Sequence, residues 1–462
     1  MKTRFSIPRG GLLLLALAGL PARGQEAPPA VPPVSPAPLA AAPSAAGAAA
    51  TPVTLTLNAA LRRAVDANPA LGRARSQVAI AQAQTDLAFS SILPKISLTG
   101  SLIRNSLEAG FGSGKDRVII LARNDWNYRV NLTQPIYAGN RERRALEQSR
   151  LAVTSAQEST LSAEQNLLLA VIADFLGVAQ GEALIEVEQK NIALAKERRE
   201  QAQNLFDAGE STRVDVLRAE ADTKAVQRRL AEAQRERDQS ESRLRVDLAL
   251  DQPIRIASPS AVFPPLPPEP ALLVEAEQQR PEVAAARLAV DTAALEIRKQ
   301  RGALLPVVSA TGAYIDQKSP FPADRYGQFA LNLSVPIFDS GEVKARVAVA
   351  REQEHQAELQ LAETRQGVRE DVRRALVDLA AAEASLGFAR DQLTASEAEH
   401  AQASDLYRAQ ETTALDLATA EASLADARRA VVTSQLDRDL AELRVWAAAG
   451  LLKKTVFEES AR

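Results

Sequence analysis

The chain repeats itself. A strand-like run closing on Pro135-Ile136-Tyr137-Ala138-Gly139-Asn140 returns as Pro336-Ile337-Phe338-Asp339-Ser340-Gly341, 201 residues later (336 − 135). The same offset carries Leu205, Phe206, Asp215, Val216 and Glu220 onto Leu406, Tyr407, Asp416, Leu417 and Glu421. Upstream the offset is 212, which takes Pro69 to Pro281 and Pro94 to Pro306. Repetition constrains architecture strongly, because each copy must bury its apolar face against the same kinds of neighbour. A unit of about half the chain is a duplicated module, not a solenoid. The repeats span 53–251 and 272–450, with a linker at 252–271 and a tail at 451–462. The offsets differ by 11 (212 − 201), so the first inter-strand loop is longer by that amount.

Lys2, Arg4 and Arg9 precede a short leucine-rich run and the small residues around Ala22-Arg23-Gly24. This pattern predicts a secretory signal peptide over 1–24, too short to span a bilayer as a helix. Residues 25–52 are mostly Ala, Pro, Gly, Ser and Val, a linker composition that cannot build a core. The chain has no cysteine, which predicts neither disulfides nor a cysteine-borne lipid. Its 55 basic and 58 acidic residues give a net charge of −3, without the basic excess of a nucleic-acid binder. After the signal, no apolar run reads as long enough for a transmembrane helix. Any membrane segment is then expected to be β.

Each half reads as short helix, helix, strand, loop, strand, very long helix, sharp turn, returning helix. The strands alternate. Trp126, Tyr128, Val130 and Leu132 share one face, with Asn127, Arg129, Asn131 and Thr133 on the other. Phe329, Leu331 and Leu333 oppose Gln328, Asn332 and Ser334 in the second copy. Upstream, Ile96, Leu98 and Leu102 alternate with Lys95, Ser97, Thr99 and Ser101, as do Val308, Ala310 and Tyr314 with Ser309 and Thr311. About 10 residues per strand suits a tilted crossing of a bilayer. The apolar set is expected to face lipid. The 103–125 loop, with Gly110, Gly112 and Gly114, suits a mobile insertion.

From Arg141 to Phe206 there is no proline. At 1.5 Å per residue that is about 100 Å of helix, longer than any ordinary globular core. Apolar residues recur at coiled-coil spacing, as in Leu161, Leu168 and Phe175, and charges fill the other faces. Returning helices are expected over Val214–Leu250 and Leu415–Ala449. The fold class is mainly α, built of duplicated long-helix hairpins, with four β-strands contributed to a membrane barrel. Four strands cannot close on themselves, and an open edge is not tolerated in lipid, so the protomer must oligomerise.

With these features together, the chain resembles the TolC-type outer membrane efflux proteins. The resemblance covers Leu55 to about Gly450. It rests on the repeat, the two proline strand endings and two tip motifs, Gly209-Glu210-Ser211-Thr212-Arg213-Val214-Asp215-Val216-Leu217 and Glu411-Thr412-Thr413-Ala414-Leu415-Asp416-Leu417. It implies a homotrimer with a 12-stranded barrel, continued by an α-helical barrel in the periplasm. It also implies an adaptor docking at the tips (Gly209, Glu210, Ser211, Thr212, Glu411, Thr412, Thr413) and an inner-membrane pump reached through it. Conduction would be passive, with gating at the tips. The rival class is a periplasmic or surface coiled-coil tether.

No catalytic or phosphate-binding constellation is present, no cofactor is expected, and His355 and His400 read as surface residues, not metal ligands. Asp215 and Asp416 each follow a threonine by three residues, the pattern of a helix N-cap with an acid at N3. The resemblance adds a gating role. Tyr407 matches an aromatic and Asp215 an aspartate that together hold the pore shut, and Asp416 matches an acidic ring. A basic residue of that lock is replaced here by Thr412, and a second ring aspartate by Thr419.

Overall fold

The structure is a computed structural model that describes residues 53–112, 118–257, 264–318, 323–409 and 411–458. The expected signal peptide, the 25–52 linker and Gly114 lie outside the described residues.

The first repeat runs β1 (Val53–Leu55), α1 (Leu57–Ala67), α2 (Pro69–Ser90), β2 (Lys95–Arg104), β3 (Ala109–Phe111), β4 (Val118–Leu121), β5 (Asn124–Ala138), α3 (Arg141–Asp207) and α4 (Arg213–Asp247). The second runs β6 (Ile254–Ile256), α5 (Glu269–Gln279), α6 (Pro281–Arg301), β7 (Val307–Gln317), β8 (Arg325–Ser334), α7 (Glu342–Arg408) and α8 (Ala414–Ala448), followed by α9 (Leu452–Glu458). Both long helices have 67 residues and both returning helices 35.

Local chemistry sets the helix ends. Asn68 caps α2 by accepting from the Ala70 amide at 2.8 Å, with Pro69 at the first helical position where no amide is missed. The α3 helix stops at Gly209, whose φ of +77° suits glycine. The Glu210 amide then donates to the Leu205 carbonyl at 2.8 Å, which satisfies the frayed end.

Four of the strands form an antiparallel sheet in the order β2-β5-β7-β8, so β2 and β8 are its edges. Ile96 pairs with Leu132, Leu98 with Val130 and Leu102 with Trp126. Ala310 pairs with Leu331 and Gly312 with Phe329. The alternation therefore gathers the apolar set on one face, and it lies open: Leu102 is 81% exposed and Phe329 76%. The other face is mainly polar, interrupted by Ile103, Ala313, Ala330 and buried Ile315, the last standing opposite Arg129 and Tyr326. β5 does not stop at its proline. It continues to Ala138 through a bulge at Pro135–Tyr137, since proline donates no ladder hydrogen bond.

Two apolar clusters sit midway along the long helices. One packs Leu61 of α1 against Leu168, Ile172 and Phe175 of α3, Leu244 of α4 and Leu443 of α8. The other packs Leu272 of α5 against Val372 of α7 and Val445 of α8. This corrects one expectation: α3 holds an 18-residue stretch long and apolar enough to cross a membrane. Its apolarity has a packing reason, because Leu168–Val178 supplies the first cluster.

Three further differences concern short elements. The 103–125 loop carries two strands, β3 and β4, that pair antiparallel within the expected insertion. β6, inside the 252–271 linker, pairs in parallel with β1, Val53 opposite Ile254. Within the expected tail, α9 docks on α3, with Leu452 fully buried and Lys453 Nζ 2.9 Å from Glu164.

Candidate functional site at the helical tips

The turns between α3 and α4 and between α7 and α8 place every tip residue expected from the sequence. Gly209, Glu210, Ser211 and Thr212 make the first turn, and Glu411, Thr412 and Thr413 the second. Both turns close with the same capping box. At the first, the Asp215 carboxylate accepts from Thr212 Oγ1 at 2.6 Å, the Thr212 amide at 3.2 Å and Ser211 Oγ at 3.1 Å. At the second, Asp416 accepts from Thr413 Oγ1 at 2.6 Å, the Thr413 amide at 3.1 Å and Thr412 Oγ1 at 2.9 Å. Thr412 thus adds a hydroxyl donor to its own acid.

These donors stabilise the charged carboxylates. The Thr212 hydroxyl, then its amide, holds Asp215 below the usual aspartate range, and the Thr413 and Thr412 hydroxyls do the same for Asp416. The positive end of each returning helix acts in the same direction.

Tyr407 is the last residue but one of α7 and lines a groove of about 510 Å3 between the two hairpins. Asp215, Arg198, Arg218, Asp222 and Glu421 line the same groove. Burial, then the negative charge of Asp215, pushes the Tyr407 hydroxyl above its ordinary pKa. The fold therefore gathers Tyr407 and Asp215 in one groove, while Asp215 spends its hydrogen bonds on its own turn. Asp416 caps the other turn.

The groove also holds a cluster the sequence did not disclose. Arg198 of α3 donates to Glu421 of α8 at 2.7 Å and also bonds Asp222 of α4. Burial is the main influence on Glu421 and raises its pKa, with Arg198 opposing. The available signal was a break in the repeat: the residue 201 positions after Arg198 is Glu399.

The expected lipid-facing residues Trp126, Tyr128, Val130, Leu132, Phe329, Leu331 and Leu333 share the apolar face of the sheet, at the opposite end of the long helices. Of the two histidines, His355 stands 3.6 Å from Glu358, and no group of metal-ligating side chains occurs among the described residues.

Comparison with known proteins settles the family. The model of the outer membrane efflux protein family matches residues 60–249 and 272–451, one match per repeat. The chain belongs to the outer membrane efflux protein family. It is an outer-membrane exit duct for efflux or secretion, whose long helices extend into the periplasm. It is 25% identical over 400 residues to the outer membrane efflux protein BepC of Brucella suis, covering 86% of this chain and 85% of that one. Solved outer-membrane channels share its fold. OprN superposes with a TM-score of 0.75 at 21% identity, covering 85% of this chain and 89% of the other. VceC of Vibrio cholerae gives 0.72 at 17%, covering 85% and 96%. Family and fold are those of channel proteins, which leaves the tether reading without support.

Proposed function

We propose that three copies close a 12-stranded barrel in the outer membrane and that their helical hairpins continue it as a periplasmic tube, gated at the tips. One observation carries this reading. The sheet has an exposed apolar face and two free edges, β2 and β8, and it leads directly into helices about 100 Å long. An apolar face covered by lipid with unpaired edges would leave backbone groups unsatisfied, so β8 of one copy pairs with β2 of the next. The internal β5–β7 ladder supplies the register. Shifting it by the repeat offsets sets Leu331 against Leu102 and Leu333 against Gly100 of the neighbouring copy. The polar faces then line a water-filled lumen.

Tyr407 and Asp215 hold the periplasmic end closed, and Asp416 adds negative charge near the constriction. The turns at 209–212 and 411–413 receive a periplasmic adaptor, which links the duct to an inner-membrane pump. BepC is named as an efflux protein and AprF of Pseudomonas aeruginosa as an alkaline protease secretion protein. This duct accordingly serves a tripartite efflux or type I secretion system. The test is fractionation followed by electrophoresis with and without boiling. Outer-membrane location and a heat-sensitive trimer are expected. A soluble monomer would overturn the reading.

A further inference from the structure

The polar face of the sheet carries few charges, and the two repeats do not share them. Within the four strands they are Lys95, Asp125 and Arg129, all in the first repeat. Their counterparts in the second are Val307, Tyr326 and Ala330, all uncharged. On the apolar face, by contrast, Arg325 Nε stands 3.2 Å from Asp316.

Two of the three polar-face charges have an opposite charge near them. Lys318 Nζ donates to the Asn124 carbonyl at 2.8 Å, which sets a cation at the Asp125 end of β5. Ala138 pairs with Val307, and that pairing, shifted by the repeat offsets, sets Asp339 against Lys95 of the next copy. Arg129 has neither arrangement. It is exposed, and among the described residues its side chain makes no ion pair or hydrogen bond. Thr99 and Ile315 flank it across the ladder, with Tyr326 one strand further. Ile315 is only 1% exposed, so the guanidinium rises beside an apolar floor that screens it poorly. The shifted ladder sets Ala330 against Ile103 of the next copy, so the second repeat adds no acid either.

Distance decides how far this charge is felt. Asp125 is four residues away along β5, about 13 Å at 3.3 Å per residue. That exceeds the Debye length of about 10 Å at 0.1 M salt, so the two charges are largely screened from each other. Twelve strands about 4.8 Å apart and tilted about 40° give a wall radius of about 12 Å. Long side chains standing in from that wall bring a solute on the axis within about one Debye length, ~10 Å, of all three guanidiniums.

We propose that Arg129 makes the barrel select for anionic cargo. Three copies set a ring of uncompensated guanidiniums across the outgoing path, and it favours solutes bearing carboxylate, sulfonate or phosphate groups, which arginine also meets with paired hydrogen bonds. This deepens the duct reading and rests on it.

Reversal potentials of single channels in planar bilayers under a potassium chloride gradient test it. Arg129→Gln should lower the chloride-over-potassium permeability ratio severalfold, and Arg129→Glu should lower it further. Arg129→Lys should keep the wild-type ratio, which a role in packing against Ile315 alone would not require. The difference between wild type and Arg129→Gln should shrink as salt is raised, because screening shortens the reach of the ring. Ala330→Arg copies the cation into the second repeat and should raise the ratio, and it decides the matter should the Arg129 variants not assemble. The same order must hold with benzenesulfonate in place of chloride and benzyltrimethylammonium in place of potassium. Trimers that conduct with the same ratio in wild type, Arg129→Gln and Ala330→Arg overturn the proposal while leaving the duct in place, as does a preference confined to the inorganic ions. A wild-type chain that forms neither trimer nor channel removes the duct reading and this ring with it.

Discussion

Arg198 ties the two repeats together at the tip: its Nη1 donates to Glu421 Oε2 at 2.7 Å, and the guanidinium also holds Asp222 of its own hairpin. The side chains of Arg198 and Glu421 are only 11% and 18% exposed, so the pair is shielded from most solvent screening. A hydrogen bond to a charged group contributes about 1.5–3 kcal/mol. Arg198→Ala should cost an amount of that order and leave Glu421 half-buried without its cation. Faster hydrogen exchange over 415–425 checks this. Unchanged exchange there would show that the contact stabilises nothing.

The caps give a prediction with a pH sign. Thr212→Ala should cost about 1 kcal/mol of local stability, seen as faster exchange over 212–216. Asp215 and Asp416 have lowered pKa values in the folded state, Thr212 and Thr413 being the main causes. Their contribution is therefore full above the ordinary aspartate value of about 3.9 and is lost as pH falls through the lowered folded values. Glu421 has the opposite sign, because burial raises its pKa. Pepsin nicking at the two turns should accordingly rise only well into the acid range. Nicking that sets in near neutral pH would contradict the capping account.

For the gate, Tyr407→Phe combined with Asp215→Ala should raise single-channel conductance. The two groups share one groove, and burial with the Asp215 charge raises the pKa of the tyrosine hydroxyl. Thr412 standing where a basic residue completes the lock predicts a leaky resting state even before mutation. Unchanged conductance in the double mutant would leave Asp215 as a cap alone.

Much of this was legible in the residues. The absence of proline over 141–206 and the threonine–aspartate spacing marked the long helices and their turns, because both depend on local chemistry. Alternation through Trp126, Tyr128, Val130 and Leu132 marked the apolar face for the same reason. The β1–β6 pair was not legible: three residues are too few to show a period of two, and Val53 meets Ile254 only through tertiary packing. α9 was hidden similarly, since Leu452 is buried by α3 and not by a pattern of its own. Arg198 looked like any arginine on a charged helix. Its role depends on α8 bringing Glu421 within reach.

The sheet face is testable residue by residue. Leu132→Arg should cost about 2–4 kcal/mol of assembly stability if it lies near the bilayer midplane. Asn131→Arg, one residue back and on the polar face, should assemble normally. Equal heat-stability losses for the two trimers would contradict the assignment of faces.

Gly139 and Gly302 cross where the sheet meets the helices. A Cβ on Gly139 would sit 2.0 Å from the Gly302 carbonyl oxygen, and Gly139 has a φ of +65°. Gly139→Ala should therefore impair assembly, read as loss of the trimer on unboiled gels, whereas Gly327→Ala, with open space around its Cβ, should not. Normal assembly of Gly139→Ala would mean that the crossing yields easily.

The central claim is that one chain reaches from the cell exterior into the periplasm. An impermeant maleimide applied to cells carrying a single cysteine tests it, at Gly112 in the long inter-strand loop or at Glu210 in the first helical turn. The duct predicts that Gly112→Cys labels in intact cells, while Glu210→Cys labels only once the outer membrane is permeabilised. Equal labelling of both sites under both conditions would contradict it.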